Sequence, residues 1–222
     1  MDKFQIFEWI LRIPIVLLSL TVHEVAHGYA AYKLGDPTAK NLGRLSLNPI
    51  KHLDPIGALC MLVFRFGWAK PVPIQTRYFK KPKRDMAISA LAGPLSNLLM
   101  AFVTFIISEY IIRFGNFGTY YLGDTFVSRM WYIAYIFFST FFMMNVSLAV
   151  FNLIPVPPLD GSRILFVLLP DKYYFGFMKY EQYISLALMA CLFLGLLDGI
   201  LTGAVSGILR LFDLICGFLP FL

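Results

Sequence analysis

Charge is what this chain has least of: Asp, Glu, Lys and Arg make up 14% of its 222 residues, against 59% hydrophobic and 17% aromatic. Ordinary soluble domains carry about 25% charged residues, so this composition points instead to a polytopic membrane protein. Cysteine is nearly absent too. Cys60, Cys191 and Cys216 form no C-x-x-C pair, which argues against both a disulfide framework and a sulfur-ligated zinc site. No small-residue cleavage site follows the N-terminal apolar run, so that run is expected to be kept as a span and not removed as a signal. The net charge of +6 would suggest nucleic acid in a soluble protein. Here the Lys and Arg residues lie in loops between apolar runs, where orienting the chain in a bilayer explains them and no nucleic-acid partner is expected. Histidine is as scarce as cysteine, at three residues, and two of the three stand four apart.

Those two lie in LTVHEVAHGYAA, residues 20–31. On a helix, His23 and His27 leave the same face one turn apart with Glu24 beside them, the arrangement in which two imidazoles hold zinc and a glutamate takes a proton from the attacking water. The setting sharpens the reading. IVLLSL precedes the motif, and ionisable groups at bilayer depth cost about 2.5 kcal/mol or more each unless something pairs with them. A dication is the partner that satisfies both histidines; a structural histidine pair is the bland alternative.

Taken in order, residues 7–34 are long enough to span and stop at Gly35-Asp36-Pro37. Residues 38–54 are polar and turn-rich, and Arg44-Leu45-Ser46-Leu47 alternates as a short strand would. Residues 56–68 are apolar but too few to cross about 30 Å of hydrocarbon. Basic residues flank them on both sides, Lys40, Arg44 and Lys51 before and Lys70, Arg77, Lys80, Lys81, Lys83 and Arg84 after, so a re-entrant element with both ends at the cytoplasmic side is expected. Residues 86–114 form the second full span and contain AGPLSN. There Gly93 and Asn97 stand one turn apart, either as a small-residue and amide packing face or with Asn97 lining a site. Pro94 is either a first-turn residue or a kink. The third span, 130–154, ends in NLIPVPPLDG. Three prolines in four residues break the backbone, which at membrane depth is tolerated only inside protein or beside a wet cavity. Asp160 follows, with Gly161 expected to permit a sharp turn. It is either a cap for 162–169 or, better, a third protein ligand, since catalytic zinc commonly uses three and leaves one position open. Two apolar segments close the chain, 183–197 and 201–222, divided at Asp198-Gly199.

HEVAH in the first span, AGPLSN in the second and NLIPVPPLDG after the third, in that order, together resemble the site-2 protease family of intramembrane zinc metalloproteases, and most closely its small core-only members. The resemblance covers about residues 10–169. It implies that His23, His27 and Asp160 bind one zinc ion and that Glu24 is the catalytic glutamate. Asn97 and Asn152 match family positions near the centre, with a role toward the substrate or an oxyanion. His52, in NPIKHLDP, gets no catalytic assignment. Substrates would be transmembrane proteins or peptides, cut within the bilayer near its cytoplasmic side, with the strand-like 44–47 holding an unwound substrate by edge pairing. The expected architecture is an all-α polytopic membrane protein with about five to six transmembrane or re-entrant segments and a small strand-like or re-entrant element between the first two full spans. It forms a single domain over 1–222, with the catalytic core at about 7–169 and C-terminal apolar segments at about 183–222, in the plasma membrane and without a PDZ-like or other regulatory domain. The alternative is a membrane zinc-binding scaffold or transporter without proteolysis. A transporter would stage ionisable residues across several spans, and a scaffold needs no glutamate between the histidines.

Overall fold

The computed structural model describes residues 3–57, 69–114, 125–169 and 180–217. Helices and their connections make up all of it, with no strand among the described residues. In chain order the helices are α1 (Lys3–Lys33), the single-turn α2 (Thr38–Asn41), α3 (Pro82–Phe114), α4 (Phe126–Asn152), α5 (Asp160–Leu168), α6 (Glu181–Phe193) and α7 (Asp198–Gly217), with 3-10 turns at Pro49–His52 and Thr76–Tyr78. Four stretches are long and apolar enough to cross a membrane, Trp9–Lys33 of α1 and the whole of α3, α4 and α7. At 13 residues, α6 rises only about 20 Å, short of a hydrocarbon core of about 30 Å. Large apolar side chains face outward along these helices, Phe193 at 80% and Ile200 at 71% exposure. Such a surface belongs against lipid, and the chain is a multi-pass membrane protein.

The helix ends follow local chemistry. Gly35 takes φ +112°, and the Gly35 N–H to Tyr32 O and Asp36 N–H to Ala31 O bonds, 3.1 and 2.9 Å, close α1 as the expected terminator does. The same device closes α6 at Gly195, with φ +69° and the Leu196 N–H on Cys191 O at 3.0 Å. The break between the last two apolar segments therefore falls at 194–197, and Asp198-Gly199 opens α7 instead of dividing the segments.

Central to the bundle is α3, which packs against α1, α4, α5 and α7. Its C-terminal half joins α4 and α7 in an apolar core of Ala101, Phe105, Phe142, Val146, Val150, Phe212 and Cys216. Its N-terminal half meets α1 and α5 and carries the polar site. Pro94 lies inside α3, which excludes the first-turn reading and leaves Ala90 O without its ladder donor.

Arg44–Leu47 does not form the expected strand. Its groups are used in loop contacts: Arg44 N–H bonds Ala39 O at 2.9 Å, and the guanidinium donates to Lys70 O at 2.7 Å. The pairing found nearby is an isolated antiparallel bridge, Leu53 with Ala69, backed by Lys70 N–H on His52 O at 2.8 Å. These bonds bring together the two ends of the short apolar stretch. Residues 58–68, on which the re-entrant expectation chiefly rests, lie outside the described residues, as do residues 115–124 between α3 and α4.

Candidate metal centre

One turn of helix separates His23 from His27 on α1, and α5 brings Asp160 to them from the far end of the chain. The Asp160 Oδ2 atom lies 3.2 Å from His23 Nε2 and 3.1 Å from His27 Nε2, and the two Nε2 atoms are 2.9 Å apart. Both rings are buried, and Asp160 is partly so. The capping alternative for Asp160 fails, because α5 is preceded by Leu159 and has no side-chain cap.

Each imidazole is oriented from behind. His23 Nδ1 meets Asn97 Oδ1 at 2.6 Å, and His27 Nδ1 meets the Ser89 carbonyl at 2.7 Å. Both partners accept, so each Nδ1 carries the proton and, in the neutral ring, each Nε2 presents a lone pair. Three acceptor atoms thus converge, and Asp160 Oδ2 is buried with no conventional hydrogen-bond donor. A zinc ion bound tetrahedrally at about 2.0–2.1 Å sets its ligands about 3.3 Å apart. The observed triangle is close to that size, and its donor set fits the ion; among the described residues it is the group of His, Cys, Asp and Glu side chains placed to hold a metal.

Glycine makes the close packing possible. A Cβ on Gly93 would fall 2.6 Å from His23 Cε1 and closer still to the His27 ring, so α3 passes the histidines only because Gly93 has no side chain. The same holds for Gly161, where a Cβ would come within 2.5 Å of Ile154 O and would also strike Leu153 O. Its backbone is helical, so the residue serves this close approach and not the sharp turn expected of it.

The Nε2 side of the triad opens on a cavity of about 240 Å³ lined by Glu24, Pro71, Val72, Ile74, Met86, Ala90, Asn152, Pro158, Asp160 and Arg163 together with the two histidines. Asn152 is therefore at the cavity wall, its Nδ2 donating back to Leu148 O at 3.0 Å. Asn97 is fully buried behind His23, away from the cavity lining. His52 is buried in the loop, with Nε2 on Ser46 O at 2.8 Å. Glu24 Oε2 accepts from the Val72 N–H at 2.7 Å. Val72 belongs to a strap, residues 69–75, in which Pro71 and Pro73 bias Lys70 and Val72 toward extended backbone. Lys70 holds one end of the strap, as above. At the other, Gln75 N–H donates to Asp36 Oδ2 at 2.6 Å. This strap lines the cavity through Pro71, Val72 and Ile74, whereas residues 44–47, expected to hold substrate by edge pairing, are not in its lining.

Sequence reasoning missed Ser89, Val72, Arg163, Asn145 and Ser19. The first two act through the backbone and leave no mark in residue type. Asn145 and Ser19 did leave one, as polar residues inside apolar spans.

The Peptidase family M50 model matches residues 12–195. The chain belongs to that family. A Bacillus subtilis relative named "Putative zinc metalloprotease YwhC" is 43% identical over 175 residues, 77% of this chain and 75% of the relative. Rip2 of Mycolicibacterium smegmatis, described in the same words, is 31% identical over 67% of this chain and 53% of its own length. The zinc metalloprotease MJ0392 of Methanocaldococcus jannaschii is 29% identical over 86% of this chain and 44% of its own. The match thus spans three quarters of the first relative and about half of the other two. No solved structure matches the chain. Family M50 is the site-2 protease family that the three motifs resemble, and this chain is an intramembrane zinc metalloprotease acting on membrane substrates.

Proposed function

We propose that His23, His27 and Asp160 hold a single zinc ion and that Glu24 is the general base and acid of peptide hydrolysis inside the membrane. One observation carries this reading: three acceptor atoms on two distant elements lie within 3.2 Å of one another, an arrangement that repels itself until a cation enters. When bound, zinc supplies Lewis acidity, bringing the pKa of water toward about 7 and drawing negative charge from a carbonyl oxygen.

The Val72 N–H holds Glu24 at the cavity wall. From there the carboxylate takes one proton from the attacking water as its oxygen bonds to the scissile carbon, and returns that proton to the nitrogen as the C–N bond breaks. In this reading Asn152, on the same wall, donates to the oxyanion through the Nδ2 hydrogen that is not on Leu148 O. Asn97 orients His23 from the opposite side of the ring. A helical substrate hides its carbonyls in its own hydrogen bonds, so it must unwind locally before it fits beside residues 71–74.

The site faces the cytoplasm in this reading, in the plasma membrane. His27 and His23 lie six and ten residues before Lys33, about 9 and 15 Å below that end of α1. Lys40, Arg44, Lys51, Lys70, Lys80, Lys81, Lys83 and Arg84 gather at the same end, as the positive-inside rule requires of a cytoplasmic face. The catalytic core, about 7–169, and the C-terminal helices act as one domain. Metal analysis of the purified protein, paired with cleavage of a reconstituted transmembrane substrate with and without chelator, tests the proposal. About one zinc per chain and chelator-sensitive cleavage are expected; cleavage that continues in a metal-free preparation would defeat it.

A further inference from the structure

Behind the triad a chain of side-chain hydrogen bonds crosses three helices. Asn97 Nδ2 of α3 donates to Asn145 Oδ1 of α4 at 2.8 Å. Asn145 Nδ2 in turn donates to the Phe141 carbonyl at 2.8 Å and to Ser19 Oγ of α1 at 2.9 Å. Ser19, Asn97 and Asn145 are wholly buried, and no water is needed to complete the path from Phe141 to His23.

A backbone carbonyl only accepts, and this gives the chain a direction. Phe141 O requires the amide nitrogen of Asn145, so Asn145 turns its oxygen to Asn97. Asn97 must then present its own nitrogen there and its oxygen to His23. In its neutral form the ring has one remaining choice: Nδ1 carries the hydrogen and Nε2 the lone pair. Were the Asn97 amide reversed, its nitrogen would donate to Nδ1 and the hydrogen would move to Nε2, the atom aimed at Asp160.

We infer that Asn145 is a positioning residue that fixes the amide direction of Asn97 and thereby holds His23 in the Nδ1–H tautomer, ready to bind metal through Nε2. The inference rests on the reading of His23 as a zinc ligand. Ser19 secures Asn145 against α1 but does not set the direction, since a hydroxyl both donates and accepts. Partners of this kind, one step removed from a ligand, change metal affinity by about 10- to 100-fold when they are lost.

With three histidines in the chain, nitrogen NMR of the histidine-labelled, metal-free protein in lipid resolves each ring. Wild type is expected to show His23 with hydrogen on Nδ1 in its neutral form; hydrogen on Nε2 would overturn the inference without any variant. Asn145→Leu, similar in volume, is expected to mix the His23 tautomers and weaken zinc binding about 10- to 100-fold against a competing chelator, lowering kcat more than it raises KM. Ser19→Ala is expected to keep the wild-type tautomer. An Asn145→Leu protein with wild-type tautomer and zinc affinity would also overturn the inference while leaving the metal reading intact. Wild type that holds His23 as Nδ1–H yet takes up no zinc would support the tautomer assignment and defeat the metal reading.

Discussion

Gly93→Ala is the sharpest test of how the site is packed. The added Cβ would stand 2.6 Å from His23 Cε1, 0.8 Å short of an ordinary 3.4 Å contact, and nearer still to His27. Neither ring can swing aside freely, because Asn97 Oδ1 holds one at 2.6 Å and Ser89 O holds the other at 2.7 Å. Breaking either bond costs about 0.5–1.5 kcal/mol net. If the rings stay and α3 yields instead, overpacking of this size costs about 1–3 kcal/mol. Either way the ligand atoms move by close to an ångström, a displacement that lowers catalysis about 100-fold. The expected outcome is a folded protein with a lower melting temperature, reduced zinc content and about 100-fold slower cleavage of a reconstituted substrate. Gly203→Ala on α7 is the control. Its Cβ meets nothing within 4 Å, and in a helix interior alanine is favoured over glycine by about 1 kcal/mol. Gly93→Ala with zinc content and cleavage within twofold of wild type would refute the packing described between α3 and the histidines.

Glu24→Gln keeps the shape and one acceptor for the Val72 N–H but removes the base; zinc content is expected to stay at the wild-type level while cleavage disappears, and retained cleavage would end the general-base assignment. Asp160→Ala removes one corner of the triangle and is expected to lower zinc bound after dialysis, whereas unchanged metal would return Asp160 to a structural role. A substrate span with a central Asn-Gly is expected to be cut faster than a stiff poly-Leu span in a paired reconstituted assay. Equal rates would show that helix unwinding does not limit the reaction.

The reading of the chain as a membrane bundle needed only composition and run length, because a segment that satisfies its own backbone bonds and presents apolar side chains is stable in lipid whatever its neighbours do. His23, Glu24 and His27 were legible for a similar reason: helical periodicity alone puts positions i and i+4 on one face. Asp160 was legible from the prolines before it, which a continuous helix cannot hold. Only the tertiary structure decided what stands behind and around those groups. Asn97 backs His23 and does not line the cavity, a matter of how α3 is rotated against α1. Asn145 and Ser19 were visible as polar residues in apolar spans, but their hydrogen-bond partners are 48 and 126 positions away in the chain. The Ser89 carbonyl and the Val72 N–H belong to every residue type alike, so no pattern announces them. Residues 44–47 had the alternation of a strand and lacked a partner strand among the described residues, and pairing is a property of two segments. Local chemistry thus set which groups are available at membrane depth; packing set which of them meet, because a hydrogen bond or a metal site requires a few ångströms of accuracy between elements that the chain order leaves free.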